Sequence, residues 1–175
     1  MSIRQTIKLI ASDFNNHGGK SFAKCCYVYL FDAKFRLLLN YRLGRYFEHS
    51  KFKPFKLLSA RYKYRQITKR GCQVSFKADI GAGVKFLHPI GVVIGDDVVI
   101  GNNVSIWQQV TLGSHGRPGE ALNYPVVQDN VKIFAGAKLF GSITIGSNAI
   151  IGANAVVNKN VPANTTAVGI PATIK

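Results

Sequence analysis

Two hydrophobic rhythms divide the chain. Over residues 3–15 and roughly 21–48, apolar side chains recur at helical spacing. Phe31, Phe35, Leu38, Leu39, Tyr41 and Leu43 form one broad stripe, with Lys34, Arg36, Arg42 and Arg45 expected on the outside. Asn15-Asn16-His17-Gly18-Gly19 reads as the break between two helices. Pro54 opens a third helical segment over residues 55–69, rich in Lys, Arg and Tyr.

From Val74 onward the period is six. One register runs Val74, Ile80, Phe86; a second Ile94, Ile100, Ile106, Leu112; a third Val127, Ile133, Leu139, Ile145, Ile151, Val157. A small or β-branched residue follows four places later, as at Ala78, Val98, Val131 and Ala155, and glycine often comes directly after the aliphatic, as at Gly81, Gly95, Gly101 and Gly146. Six suits neither a helix nor a long alternating strand. A short strand and a turn per hexad satisfies it, with the aliphatic inward and glycine expected to permit the corner. This is the pattern of a hexapeptide β-helix. The predicted fold is therefore mainly β, a β-helix over 71–175 preceded by a basic α-helical region over 1–70.

The register slips twice. Eight residues separate Phe86 from Ile94, and the extra two surround His88. Fifteen separate Leu112 from Val127, so a loop leaves the coil at about 114–124. Interruptions of a rigid scaffold are where sites are usually placed.

Charge follows the same division. The 175-residue chain carries a formal +15, but residues 1–70 hold 16 basic and 3 acidic side chains, while 71–175 hold 7 and 5. Such a surface suits an anionic partner, and peripheral contact with an anionic membrane face is one expectation. Nucleic acid is not expected, because no recognition motif accompanies the charge. Cys25, Cys26 and Cys72 make no CxxC pair and no even framework, which fits a reducing cytoplasm. The N-terminus lacks the pattern of a signal peptide, and the run over 25–31 is too short for a membrane span.

The runs His88-Pro89-Ile90-Gly91-Val92-Val93-Ile94-Gly95, Asn103-Val104-Ser105-Ile106-Trp107-Gln108-Gln109-Val110-Thr111-Leu112-Gly113, Ala135-Gly136-Ala137-Lys138 and Gly169-Ile170-Pro171-Ala172 resemble the serine acetyltransferase family of hexapeptide-repeat enzymes. The basic helical region is similar to the shorter, polysaccharide-associated members. The resemblance implies a left-handed parallel β-helix with three hexads per coil, acetyl-CoA as co-substrate, no metal, and a homotrimer with sites between subunits. His88 lies at the position of the family's catalytic His. An acceptor hydroxyl must lose its proton as it attacks a thioester directly, and His is suited to accept it near neutral pH. The turn at Gly113 and Ser114 is the candidate for the backbone donors to the oxyanion. Positions matching the family's cofactor groove are Ser114, Ala135, Gly136 and Ala153, with Lys138, Lys159 and Lys175 in reach of the CoA phosphates; the usual Arg after Gly-x-Pro-Ala is Thr173.

Departures from the family decide the expected acceptor. Ser75 and Leu87 stand where the family places Asp residues around the catalytic His, and Asn123-Tyr124 where it has an Arg-His pair. Without those charges, free serine loses its carboxylate and ammonium partners. Trp107, Gln108, Gln109, Asn123 and Tyr124 suit a neutral sugar hydroxyl. The expected function is thus saccharide O-acetyltransferase, with serine O-acetyltransferase as the alternative and a non-catalytic scaffold behind both. A γ-class carbonic anhydrase is disfavoured, because the coil holds only His88 and His115 and a zinc site needs three histidines.

Overall fold

The computed structural model describes residues 2–18, 21–116 and 123–175. Four helices come first: α1 (Ile3–Asn16), α2 (Phe22–Phe31), α3 (Ala33–Glu48) and α4 (Lys53–Arg70). Ser2 caps α1 reciprocally with Gln5, and α1 ends before Gly18 at φ +86°. Pro54 sits in the first turn of α4, which stops at Gly71 in the left-handed conformation.

The single helix expected over 21–48 is two. Asp32 interrupts it, with ψ 102°, and its Oδ1 accepts from the N–H groups of Lys34 and Phe35 at 2.8 and 3.1 Å. A carboxylate inside an apolar run is acting as an N-cap. Phe31 consequently leaves the expected stripe and is 69% exposed, whereas Leu37 joins Phe35, Leu38 and Tyr41 in the interior.

After α4 the chain winds five coils. The first holds β1 (Gln73–Val74), β2 (Asp79–Ile80) and β3 (Lys85–Phe86); the second β4 (Val93–Ile94), β5 (Val99–Ile100) and β6 (Ser105–Ile106). The third holds β7 (Thr111–Gly113), β8 (Val126–Val127) and β9 (Lys132–Ile133); the fourth β10 (Lys138–Phe140), β11 (Thr144–Ile145) and β12 (Ile150–Ile151). The fifth runs β13 (Val156–Val157), a bridge at Val161, and β14 (Thr166–Val168), and β15 (Thr173–Ile174) folds back antiparallel on β14. The strands stack into three sheets, parallel except for that last pair. Register is kept from coil to coil, so Val74, Ile94, Leu112, Leu139 and Val157 form one buried column. The other two registers build the other walls of the same core, which continues into Leu37, Leu38 and Tyr41 of α3.

The glycines after the aliphatics do not serve the corners. None of Gly81, Gly95, Gly101, Gly113, Gly146 and Gly152 has positive φ. At most of them a Cβ would strike the next coil, as at Gly101, where it would lie 2.9 Å from the main chain of Asp129. Positive φ falls instead on Asn103, Gln109, Asn130, Asn148, Asn154 and Asn164. Each donates its N–H to a carbonyl of the preceding coil, for example Asn154 to Ala135 and Gln109 to Ile90. Asn tolerates this conformation better than most side chains.

The first coil would expose an unpaired strand edge, and the helices cover it. Tyr41 Oη donates to the Ala78 carbonyl at 2.7 Å. Arg42 donates to the carbonyls of Ile80 and Gly81, and Arg45 to that of Ala78. Gln66 Oε1 accepts from the N–H of Val74. Arg42 and Arg45 therefore point inward, against expectation. Arg42 is 1% exposed and its Nε donates to Asp13 Oδ2 at 3.0 Å. Burial pushes the Asp13 carboxyl up, outweighing the pull of Arg42. Among the described residues no helix is long and apolar enough to cross a membrane.

Candidate functional site

His88 follows β3 on a two-residue detour from the hexad pattern. The detour is fixed by backbone: Ile90 N–H donates to the His88 carbonyl, and Gly91, at φ +67°, donates to Gly71. The buried Cys72 thiol donates to the Pro89 carbonyl at 3.1 Å, and burial pushes that thiol up from its ordinary value. The His88 ring is exposed and makes no hydrogen bond among the described residues. Ser75 does not orient it. Ser75 Oγ donates to Asp96 Oδ1 at 2.7 Å, at the corner between β1 and β2. The hydrogen bonds of Ser75 and Lys77 hold the Asp96 carboxyl below the usual carboxylate range.

His88 borders a cleft of about 930 Å³ between the helices and the first coil. One wall is α4, which turns Arg61, Tyr64, Arg65, Thr68 and Lys69 to it at helical spacing; Arg70, Ala33, Arg36, Pro89 and Ile90 complete it. Among the described residues no acidic side chain lines it. Arg70 Nε donates to the Arg36 carbonyl, and burial together with the charges of Arg36 and Arg65 lowers its affinity for a proton. This cleft was not among the expectations from sequence. The i, i+3, i+4 spacing of Arg61, Tyr64 and Arg65 was visible, but not that Gly71 returns the face of α4 to His88.

The other expected residues fall on two corners of the coil. Stacked on the corner of His88, on successive coils, are Trp107 and Gln108, then Ala135 and Gly136, then Ala153. Lys138 lies beside them, its Nζ donating to the carbonyls of Gln109 and Gly136, each at 3.2 Å. Trp107 stacks on Phe134 with centroids 4.4 Å apart, so one face of the indole is already covered. Gln108 Oε1 is buried and has no hydrogen-bond partner among the described residues. Ser114, Asn123, Tyr124 and Lys159 occupy the next corner, beyond the sheet of β7 and β13. Tyr124 packs over Gly95, where an added Cβ would collide with its ring. One subunit thus does not bring Gly113 and Ser114 to His88. Residues 117–122 of the expected loop lie outside the described residues.

Comparison with known proteins places this geometry. A family model for the bacterial transferase hexapeptide (six repeats) matches residues 124–159. A serine acetyltransferase of Buchnera aphidicola subsp. Schizaphis graminum is 39% identical over 140 residues, 80% of this chain and 52% of that protein. The apoenzyme structure of soybean serine acetyltransferase superposes with a TM-score of 0.84 at 32% identity, covering 97% of this chain and 69% of that one. A serine acetyltransferase solved in complex with CoA superposes at 0.83 and 32% identity, covering 99% and 70%. The chain belongs to the hexapeptide-repeat transferase family, and its coil is that family's left-handed parallel β-helix. It spans about half the length of the first curated relative it matches. The relatives' names run against the saccharide acceptor expected from sequence, and that reading is withdrawn.

Proposed function

We propose that the chain is an acetyl-CoA-dependent serine O-acetyltransferase, with the helical region over 1–70 carrying a β-helical transferase unit over 71–175. The observation that carries this is the likeness to serine acetyltransferases along almost the whole chain. The saccharide reading rested on charges missing at four positions, and the cleft weakens that inference. Guanidinium groups absent from the expected loop position line the space beside His88, where they suit a serine carboxylate.

In this reading His88 accepts the hydroxyl proton as the serine oxygen attacks the thioester carbonyl. The tetrahedral oxyanion is met by main-chain N–H groups at Gly113 and Ser114, and its collapse releases the CoA thiolate, which recovers the proton from His88. Acetyl-CoA lies along the corner of Ala135, Gly136 and Ala153, with Lys138 and Lys159 towards its phosphates. Because the two corners are separate within one chain, the site is completed between subunits of a homotrimer, the 114–124 loop of one facing His88 of another. Trp107, Gln108, Asn123 and Tyr124 frame the acceptor space.

Cytoplasmic placement belongs to the same reading. The observation behind a proposed contact with an anionic membrane face is the aromatic surface of α2, where Phe22 and Phe31 are 86% and 69% exposed, on a helix that also carries Lys24. Salt-sensitive sedimentation with anionic vesicles checks that contact. The function itself is tested by initial rates of thiol release from acetyl-CoA as L-serine is varied. A saturable dependence on serine is expected; serine inert, with another hydroxyl compound saturably acetylated, overturns it.

A further inference from the structure

The cleft beside His88 holds more positive charge than one carboxylate neutralises. Arg61, Arg65 and Lys69 share one face of α4, Arg70 ends that helix, and Arg36 comes from the first turn of α3. Among the described residues none of the five forms an ion pair. Arg36 and Arg70 each donate to a main-chain carbonyl, of Leu30 and of Arg36, while the side chains of Arg61 and Arg65 make no hydrogen bond among the described residues. Elsewhere the helices do use their basic residues: Arg42 and Arg45 are bound to the first coil and to carboxylates. Like charges gathered around a concave space repel unless an anion joins them, and several guanidinium forks match the oxygens of a phosphate better than those of one carboxylate. The volume, about 930 Å³, is in the range of sites for ligands much larger than serine, and Tyr64, Pro89 and Ile90 supply apolar wall.

We propose that this cleft binds the phosphate or diphosphate group of a ligand held on the helical side of His88. The donor's expected path lies the other way. Ala135 and Ala153 are two and three coils further along the same corner, away from α4. Serine carries no phosphate, so the group belongs to an effector separate from the proposed acceptor, met by Arg61 and Arg65.

Calorimetric titration of the full chain with inorganic pyrophosphate tests this at fixed ionic strength. Saturable binding is expected, weakened about tenfold or more in the double variant R61S/R65S. The double variant K51A/K53A, which removes equal charge outside the cleft, should bind as the native chain does, with circular dichroism confirming that both variants fold. Equal weakening in the two variants would reduce the effect to long-range attraction and overturn the proposal, as would absence of saturable binding. Binding should also survive saturating CoA; its loss would give the cleft to the donor's phosphates and overturn the proposal. Steady-state rates with L-serine varied then test the effector role: pyrophosphate should change them in the native chain and not in R61S/R65S, and rates unaffected at saturating pyrophosphate would overturn that role. Binding needs no turnover, so failure of serine acetylation leaves this result intact.

Discussion

His88 and Arg42 are each fixed by neighbours that their sequence positions do not announce. For His88 the expected role is proton transfer, so His88→Ala should lower kcat by roughly 100-fold or more while acetyl-CoA binding, measured calorimetrically, stays nearly intact. Near-native turnover in that variant would remove His88 from the mechanism. Arg42 is a structural cation. It neutralises Asp13 in the interior and ties two carbonyls of the first coil. Arg42→Met strands the Asp13 charge and should destabilise by about 3–5 kcal/mol in urea unfolding, with partial recovery in the double variant Asp13→Leu/Arg42→Met. Sequence pattern marked His88 because the hexads slip there. It misassigned Arg42 because helical periodicity sorts residues by polarity and takes a cation to be outside. Only the open edge of the first coil explains why a cation is wanted inside.

Single elements show the same division between what pattern carries and what contact decides. The hexad registers are a period imposed by a repeated core and were legible throughout 74–157. The glycines were legible as a pattern but not as a cause. Gly101→Ala should destabilise by about 1–3 kcal/mol because the new methyl meets the main chain of the next coil, whereas Gly113→Ala meets only the Phe140 ring at 3.6 Å and should be tolerated in stability. Comparable losses at both positions would contradict this account. Asp32 was hidden by the apolar run around it. Burial pushes its carboxyl up, but the hydrogen bond from His17 and the N–H groups of Phe35 and Lys34 outweigh that and hold it below its ordinary value. A lowered carboxyl stabilises above its unfolded value and loses that contribution as pH falls through the folded one, here below about 4. Asp32→Ala should therefore cost about 1 kcal/mol at pH 7, and its deficit should shrink under acid. A deficit that grows below pH 4 would refute the assigned sign.

At the scale of the whole molecule, helices and coil share one core, and the helices supply both the cover for the first coil and the cationic wall beside His88. The cleft was illegible in sequence because its parts come from α3, α4 and the detour at His88, which only the fold brings together. The proposed mechanism draws on both corners, which are separate within one chain, so analytical ultracentrifugation at micromolar concentration should give a trimer; a monomer that is fully active would contradict sites shared between subunits. The central claim is acetyl transfer to serine. Mass spectrometry of a reaction of this chain with acetyl-CoA and L-serine tests it most directly. O-acetylserine should appear in proportion to the CoA released and should fall with His88→Ala. Release of CoA without acetylserine, or no reaction with serine under conditions where the chain is folded and binds CoA, would contradict it.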